Sequence, residues 1–114
     1  MPTHANAPVY LPPPIAAYFA AHTSDSHAVA RCFSESAVVI DERREHRGRS
    51  AIARWSAEAT AKYHYTSEPL GVEVSGPDVT VTARVSGDFP GSPVTLHYRF
   101  TLEGASIARL EITA

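Results

Sequence analysis

The sequence has one cysteine in 114 residues, and no long apolar run. The single cysteine, Cys32, excludes an internal disulfide and fits a reducing compartment. No apolar stretch approaches the ~20 residues that a membrane-crossing helix needs. The first residues lack the basic start and apolar centre of a signal peptide. We therefore expect a cytoplasmic protein with no membrane partner.

An excess of one charge sign is also absent. The net charge is −2, with acidic and basic residues interspersed, which predicts no nucleic-acid partner. The six histidines include no close pair of the H-x-H or H-x-x-x-H kind. Because metal sites commonly use such spacings, we predict no metal site, and we predict no cofactor.

What remains is the composition of one small globular domain. Apolar residues make up 44% of the chain and charged residues 19%, which is enough for one core and one pocket. Residues 1–11 are small, polar and proline-bearing, and we expect a flexible N-terminal arm there. Residues 12–114 are expected to form a single domain.

The hydrophobic period divides the chain into helices followed by strands. Apolar residues at i, i+3, i+4 and i+7 predict helices over 13–22, 26–33 and 49–62. Alternation and short apolar runs predict strands over 37–41, 64–74, 79–89, 94–103 and 106–113. Pro69 within the second of these indicates an edge strand or a bulge. The charged run 42–47 is interpreted as a loop.

This order predicts an α+β fold. Three N-terminal helices would pack on a curved, mostly antiparallel sheet and form a cone-shaped half-barrel with a cavity inside. The stretch from Phe33 to Trp55 is central to this architecture. Its apolar run, residues 37–40, ends abruptly in Asp41-Glu42, so a carboxylate is expected where the strand leaves the core.

The order of these motifs resembles the nuclear transport factor 2-like superfamily, and its SnoaL-like branch in particular. The matching pieces are Ile15-Ala16-Ala17-Tyr18-Phe19, Ser24-Asp25, Phe33 to Asp41, Arg47 to Ile52 and His97-Tyr98-Arg99-Phe100. The resemblance covers roughly residues 12–113. It implies the half-barrel fold, and it implies isomerase, cyclase or dehydratase chemistry by proton transfer, without a cofactor.

Residue by residue, the resemblance places Asp41 where ketosteroid isomerases have their catalytic base. A register shift of one would place Glu42 there instead. Those isomerases also use a protonated aspartate near the position of Leu96, which cannot donate a hydrogen bond, and a tyrosine about one residue from Tyr18. Steroid isomerase activity is therefore not expected. A SnoaL-like cyclase needs only an acidic residue in the cavity, which this sequence supplies.

The candidate site residues follow from these positions. Asp41 is the predicted catalytic base, because a carboxylate at a cavity wall has a raised pKa. His22 and His64 are candidate catalytic partners across the cone. Aromatic and apolar residues on the inward stripes are candidate substrate contacts: Tyr18, Phe19, Phe33, Trp55, Tyr63, Leu96, Tyr98 and Phe100.

Two functions remain open at this point. The first is an enzyme that transfers protons on a small apolar carbonyl compound. The second is a non-catalytic module that binds an apolar ligand or serves as a dimeric interaction platform. The outer face of the sheet, with Thr80, Thr82, Thr95, His97, Arg99 and Thr101, is expected to form a homodimer, as family members usually do.

Overall fold

The structure, a computed structural model, describes residues 10–22 and 24–114. The predicted arm over 1–11 therefore lies mostly outside the described residues. In chain order the elements are α1 (Pro13–Ala21), α2 (Ser26–Arg31), β1 (Phe33–Asp41), β2 (Arg44–Arg47), α3 (Arg49–Tyr63), β3 (Thr66–Ser75), β4 (Asp78–Ser86), β5 (Val94–Glu103) and β6 (Ser106–Thr113).

Local sequence explains where the helices begin and end. Pro13 and Pro14 occupy the first turn of α1, where the missing N–H of proline costs nothing. The Asp25 side chain accepts hydrogen bonds from the amides of His27 and Ala28 and so caps α2. The αL conformation of His64, with φ 46°, ends α3 and turns the chain towards β3.

The six strands form one curved, unclosed sheet in the order β2-β1-β6-β5-β4-β3. β1 runs parallel to β6, and every other neighbouring pair is antiparallel. The three helices lie against this mixed sheet, so the predicted α+β class and mostly antiparallel sheet are confirmed.

The sequence prediction was wrong in the region between α2 and α3. α2 ends at Arg31 and not at 33, because Phe33 already begins β1. Residues 34–36, which no predicted element included, belong to β1, where the pairing with β6 shifts register between Phe33 and Val38. The predicted charged loop contains β2, which pairs with β1 as a hairpin. Its strand was missed because charged side chains on a half-exposed edge hide the alternation.

Bulges shape the strands on either side of the cavity. In β3 the register shifts between Pro69 and Gly71, and β3 is an edge strand, so both alternatives predicted for Pro69 are confirmed. In β6 the register shifts next to Ala108, which brings both Ile107 and Leu110 into the core. Without the bulge, simple alternation along the strand predicted over 106–113 would place these two side chains on opposite faces.

The core lies between the helices and the inner face of the sheet. Ile15 and Tyr18 of α1 and Ile52 of α3 are fully buried against it. The predicted alternation in β4 is confirmed, since its buried residues are Val79, Val81, Ala83 and Val85. This core closes one part of the half-barrel and leaves the part beside Asp41 open.

Candidate functional site

A cavity of about 400 Å³ lies at the open part of the half-barrel. The end of β1, the inner face of α3, the residue before β3, the first half of β5, and the ends of β4 and β6 contribute to its wall. The lining residues are Asp41, Glu42, Trp55, Ala59, Tyr63, Tyr65, Val85, Phe89, Pro90, Val94, Leu96, Tyr98, Ile112, Thr113 and Ala114.

Asp41 is the most buried carboxylate of this wall. It is the last residue of β1, two positions after the buried Val39, so its side chain shares the inward face. The Trp55 indole Nε1–H donates a 3.0 Å hydrogen bond to Asp41 Oδ2. Because β1 and α3 meet here, the strand places the acid and the helix fixes its orientation.

Burial raises the pKa of the Asp41 carboxyl above its usual value of 3.8. The hydrogen bond from Trp55 opposes this rise in pKa, because it stabilises the carboxylate. The nearby charge of Glu42 raises the pKa further, whereas His46 and the Glu42 amide lower it. The result is a partly desolvated carboxylate that is a stronger base than an exposed aspartate.

Glu42 forms the rim of the same cavity. Its Oε2 accepts a hydrogen bond of 3.1 Å from the Tyr63 hydroxyl, which joins the hairpin to the end of α3. Glu42 and Arg43 both have positive φ, 53° and 65°, as a two-residue hairpin turn requires. Both acids considered for the cavity therefore line it: Asp41 is half-buried in the wall, and Glu42 is exposed at the rim.

Two tyrosine hydroxyls supply hydrogen-bond donors near Asp41. Burial raises the pKa of Tyr98 to about 12 and raises the pKa of Tyr65 as well. The charge of Asp41 contributes to the raised pKa of both, so all three groups interact across the cavity. The Tyr98 hydroxyl is also within 3.1 Å of Ser67 Oγ. Both tyrosines therefore remain protonated donors at neutral pH.

The structure divides the eight predicted substrate contacts into two groups. Trp55, Tyr63, Leu96 and Tyr98 line the cavity. The other four, Tyr18, Phe19, Phe33 and Phe100, pack in or against the core and are not among the lining residues. Their rings contact one another, as between Tyr18 and Phe100 at 5.6 Å, because several inward aromatic side chains must fill the closed part of the half-barrel.

The two predicted histidine partners do not reach Asp41. His22 is buried against Tyr18 and Tyr65, and its Nδ1 lies 3.1 Å from the Phe19 carbonyl oxygen. Burial lowers the pKa of His22 to about 4, so the ring is neutral. His64 is exposed and lies 3.3 Å from Asp88. Among the described residues neither histidine hydrogen-bonds Asp41, because α1 packs its histidine in the core and the αL turn directs the other outward.

Several aromatic or apolar residues of the wall were not among the predicted contacts. Tyr65, Phe89 and Ile112 line the cavity. Tyr65 immediately precedes β3 and lies two positions before the inward-facing Ser67, so strand alternation could have predicted that Tyr65 faces the cavity. Phe89 lies in the connection between β4 and β5, where the sequence has no periodic pattern. Phe89 packs edge-on against Tyr63, with ring centroids 5.8 Å apart.

Two other kinds of feature are absent from the part of the chain that the structure describes. Within residues 10–22 and 24–114 no three side chains of His, Cys, Asp or Glu come together as a metal site would require. In the same ranges no helix has the length and apolarity to cross a bilayer.

A curved, unclosed sheet covered by three helices is the nuclear transport factor 2-like fold, which solved neighbours of this chain share. Residues 15–111 match the family model of the SnoaL-like domain. The chain therefore belongs to the SnoaL-like domain family, as the order of its motifs suggested. The sequence has no significant match among curated proteins.

Several solved structures are similar. A proposed polyketide cyclase from Sinorhizobium meliloti is 46% identical, with a TM-score of 0.87 over 90% of this chain and 95% of that chain. A ketosteroid isomerase-like protein from Catenulispora acidiphila, in complex with trimethylamine, is 20% identical, with a TM-score of 0.82 over 92% and 87%. The epoxide hydrolase/cyclase-like enzyme SalBIII, associated with pyran ring formation in salinomycin, is 21% identical, with a TM-score of 0.74 over 87% and 85%.

Proposed function

We propose that this protein catalyses proton transfer on a small, largely apolar carbonyl compound, in an isomerisation, cyclisation or dehydration. Asp41 would remove a proton from the carbon next to the carbonyl; the electron pair of that C–H bond would form the C=C bond of an enolate, and the π pair of the carbonyl would move onto its oxygen. The Tyr98 and Tyr65 hydroxyls would donate hydrogen bonds to this oxygen. Return of the proton to another carbon would complete an isomerisation. Attack of the enolate carbon on a second carbonyl of the same molecule, with the proton passing from Asp41 to that carbonyl's oxygen, would complete a cyclisation. Loss of a β-hydroxyl group as water, with the proton held by Asp41, would complete a dehydration.

The observation that carries the proposal is the environment of the Asp41 carboxylate. It lies on the wall of an otherwise mainly apolar cavity, and burial raises its pKa towards the range of a useful general base. The indole of Trp55 fixes one oxygen. A base that is oriented by a third group and faces two hydroxyl donors has the arrangement that proton abstraction beside a carbonyl requires.

The comparisons support the same reaction class. The 46% identical protein from Sinorhizobium meliloti is a proposed polyketide cyclase, and SalBIII is an epoxide hydrolase/cyclase-like enzyme. Polyketide cyclisation forms carbon–carbon bonds through enolates, so it needs the base that Asp41 provides. Leu96, which lines the cavity, offers no hydrogen bond to an oxyanion, and this argues against a steroid isomerase.

Exchange of carbon-bound protons tests this function without knowledge of the substrate. We use 2-tetralone, an apolar ketone, in D₂O and follow loss of the α-proton signals by NMR. The protein should accelerate the exchange, and Asp41→Asn should lower that acceleration by about 10²- to 10⁴-fold. Glu45→Gln is the matched control, because Glu45 lies in the same hairpin, is exposed and does not line the cavity. Equal exchange by Asp41→Asn and the unmodified protein would contradict the assignment.

The second candidate is a non-catalytic binding protein. One observation favours it: two wall hydroxyls have hydrogen-bond partners within the protein, Tyr98 with Ser67 and Tyr63 with Glu42. A binding site can be satisfied in this way, whereas an active site must release these groups to the substrate. Saturable binding of 2-tetralone without any accelerated exchange would support this candidate over the enzyme.

We further propose that the protein forms a homodimer through the outer face of the sheet. β4 and β5 place Thr80, Thr82 and Thr95 on this face together with His97 and Arg99. Light scattering coupled to size-exclusion chromatography should give twice the chain mass at micromolar concentration. A monomer at that concentration would refute the dimer, and Arg99→Glu is the variant expected to dissociate it.

A further inference from the structure

The charged side chains that line the cavity are all acidic. Asp41 and Glu42 carry carboxylates, and among the described lining residues there is no lysine, arginine or histidine. The chain contains ten lysines and arginines in total, so basic residues are available but are placed elsewhere. Because both carboxylates face one partly desolvated space, their fields add at the same place, and an anionic ligand would be repelled there.

Aromatic rings form much of the remaining wall. Trp55, Tyr63, Tyr65, Phe89 and Tyr98 surround the cavity on several sides. The faces of such rings carry negative potential, and a cation within about 6 Å of a ring centre is attracted to them. Tyr63 already makes this kind of contact, with the Lys62 ammonium 5.0 Å from its ring centre. Aromatic rings combined with carboxylates are the typical environment for an alkylated ammonium group.

We infer that the ligand of this cavity carries a positively charged amine, with an alkylammonium group held between the aromatic rings and the two carboxylates. This inference rests on the proposed function and deepens it, since it defines the substrate class as amine-bearing carbonyl compounds. The ammonium group would lie near Glu42 and Tyr63 at the rim. The apolar body of the ligand would extend towards Leu96 and Ile112.

Basic groups near the cavity offset part of this charge from outside its lining. Lys62 contacts the Tyr63 ring and is itself exposed, and the His46 ring packs against the Trp55 ring at 6.0 Å. Neither side chain is among those that line the cavity. Both instead lie outside the aromatic wall, so that a ligand inside meets the carboxylates first.

An isosteric series tests the inference. Choline, the neutral 3,3-dimethylbutan-1-ol and the anionic 3,3-dimethylbutanoate share one shape and differ in charge. We titrate each into the intact protein at pH 8 and follow amide and indole shifts, including Trp55 Nε1–H, by NMR. Choline should bind about tenfold more tightly than the neutral alcohol, and the anion should bind most weakly.

Charge-removing variants identify the origin of the preference. Glu42→Gln should reduce the preference for choline several-fold, and Asp41→Asn combined with Glu42→Gln should abolish it, while Glu45→Gln should leave it unchanged. Equal binding of choline and the alcohol, or no choline binding at about 50 mM, would overturn the inference. Such a result leaves the proposed reaction intact if 2-tetralone exchange still depends on Asp41, so the two failures are distinguishable.

Discussion

Replacement of Trp55 by phenylalanine tests the central feature of the site. The substitution keeps an aromatic ring, though a smaller one, at a position that is 7% exposed, and it removes the indole N–H that donates to Asp41 Oδ2 at 3.0 Å. This hydrogen bond favours the charged carboxylate and so lowers its pKa. Its loss should therefore raise the pKa of Asp41 further above the usual value.

The size of the shift follows from the energy of the bond. A hydrogen bond to a charged group contributes about 1.5–3 kcal/mol. One pKa unit corresponds to about 1.4 kcal/mol of differential interaction between the two protonation states. Trp55→Phe should therefore raise the pKa of the Asp41 carboxyl by about one to two units.

Two measurements report this pKa. The acidic limb of the pH–rate profile for 2-tetralone exchange follows ionisation of the base, and the carboxyl ¹³C shift of Asp41 follows it directly. Tyr63→Phe is the matched control, because it removes a hydroxyl from the same cavity whose partner is Glu42. The pKa given by the acidic limb should rise in Trp55→Phe and should stay within a few tenths of a pH unit of its original value in Tyr63→Phe.

A folded Trp55→Phe variant whose acidic limb is unmoved or shifted downward would refute this reasoning. In that case the indole would not stabilise the carboxylate, and the base would owe its properties to burial alone. Near-ultraviolet circular dichroism and the thermal midpoint establish that the variant is folded, since loss of ring volume in a buried site also costs stability.

Three further predictions concern stability and geometry. The pKa of Asp41 is higher in the folded protein than its usual value of 3.8, so ionisation of this carboxyl destabilises the fold as the pH rises from 3.8 through the folded pKa. Asp41→Asn should therefore be more stable than the unmodified protein at pH 7. A urea titration that shows equal stability would contradict this. The pKa of His22 is about 4 in the folded protein and 6.5 in the unfolded chain, so the free energy of unfolding should fall by about 2 kcal/mol when the pH is lowered from 7.5 to 4.5. Urea titrations measure this decrease, and most of it should be absent in His22→Phe. A Cβ on Gly87 would lie 2.7 Å from the Tyr63 carbonyl oxygen and 2.8 Å from Tyr65 Cβ. Gly87→Ala should therefore lower the free energy of unfolding by about 1–3 kcal/mol and weaken 2-tetralone binding. An unchanged thermal midpoint and an unchanged affinity would contradict this prediction, because they would show that the two tyrosines tolerate displacement.

Periodicity and local chemistry in the sequence determined most of the fold. Alternation predicted β4 and β5, because one face of each strand packs on the core and the other is more exposed. The abrupt change from apolar residues to Asp41 predicted the acid at the end of β1, and the cavity lining includes it. Such features depend on neighbours in the sequence, and the sequence alone carries that information.

The tertiary structure decided what depends on distant neighbours. Strand β2 exists because it pairs with β1, and the bulge in β6 turns Ile107 inward because it fits the register with β5. Tyr98 and Phe100 share the same inward face of β5 and both belong to the core, but only Tyr98 also lines the cavity. The hydrogen bond from Trp55 to Asp41 likewise arises where two elements meet, so no local pattern could predict it.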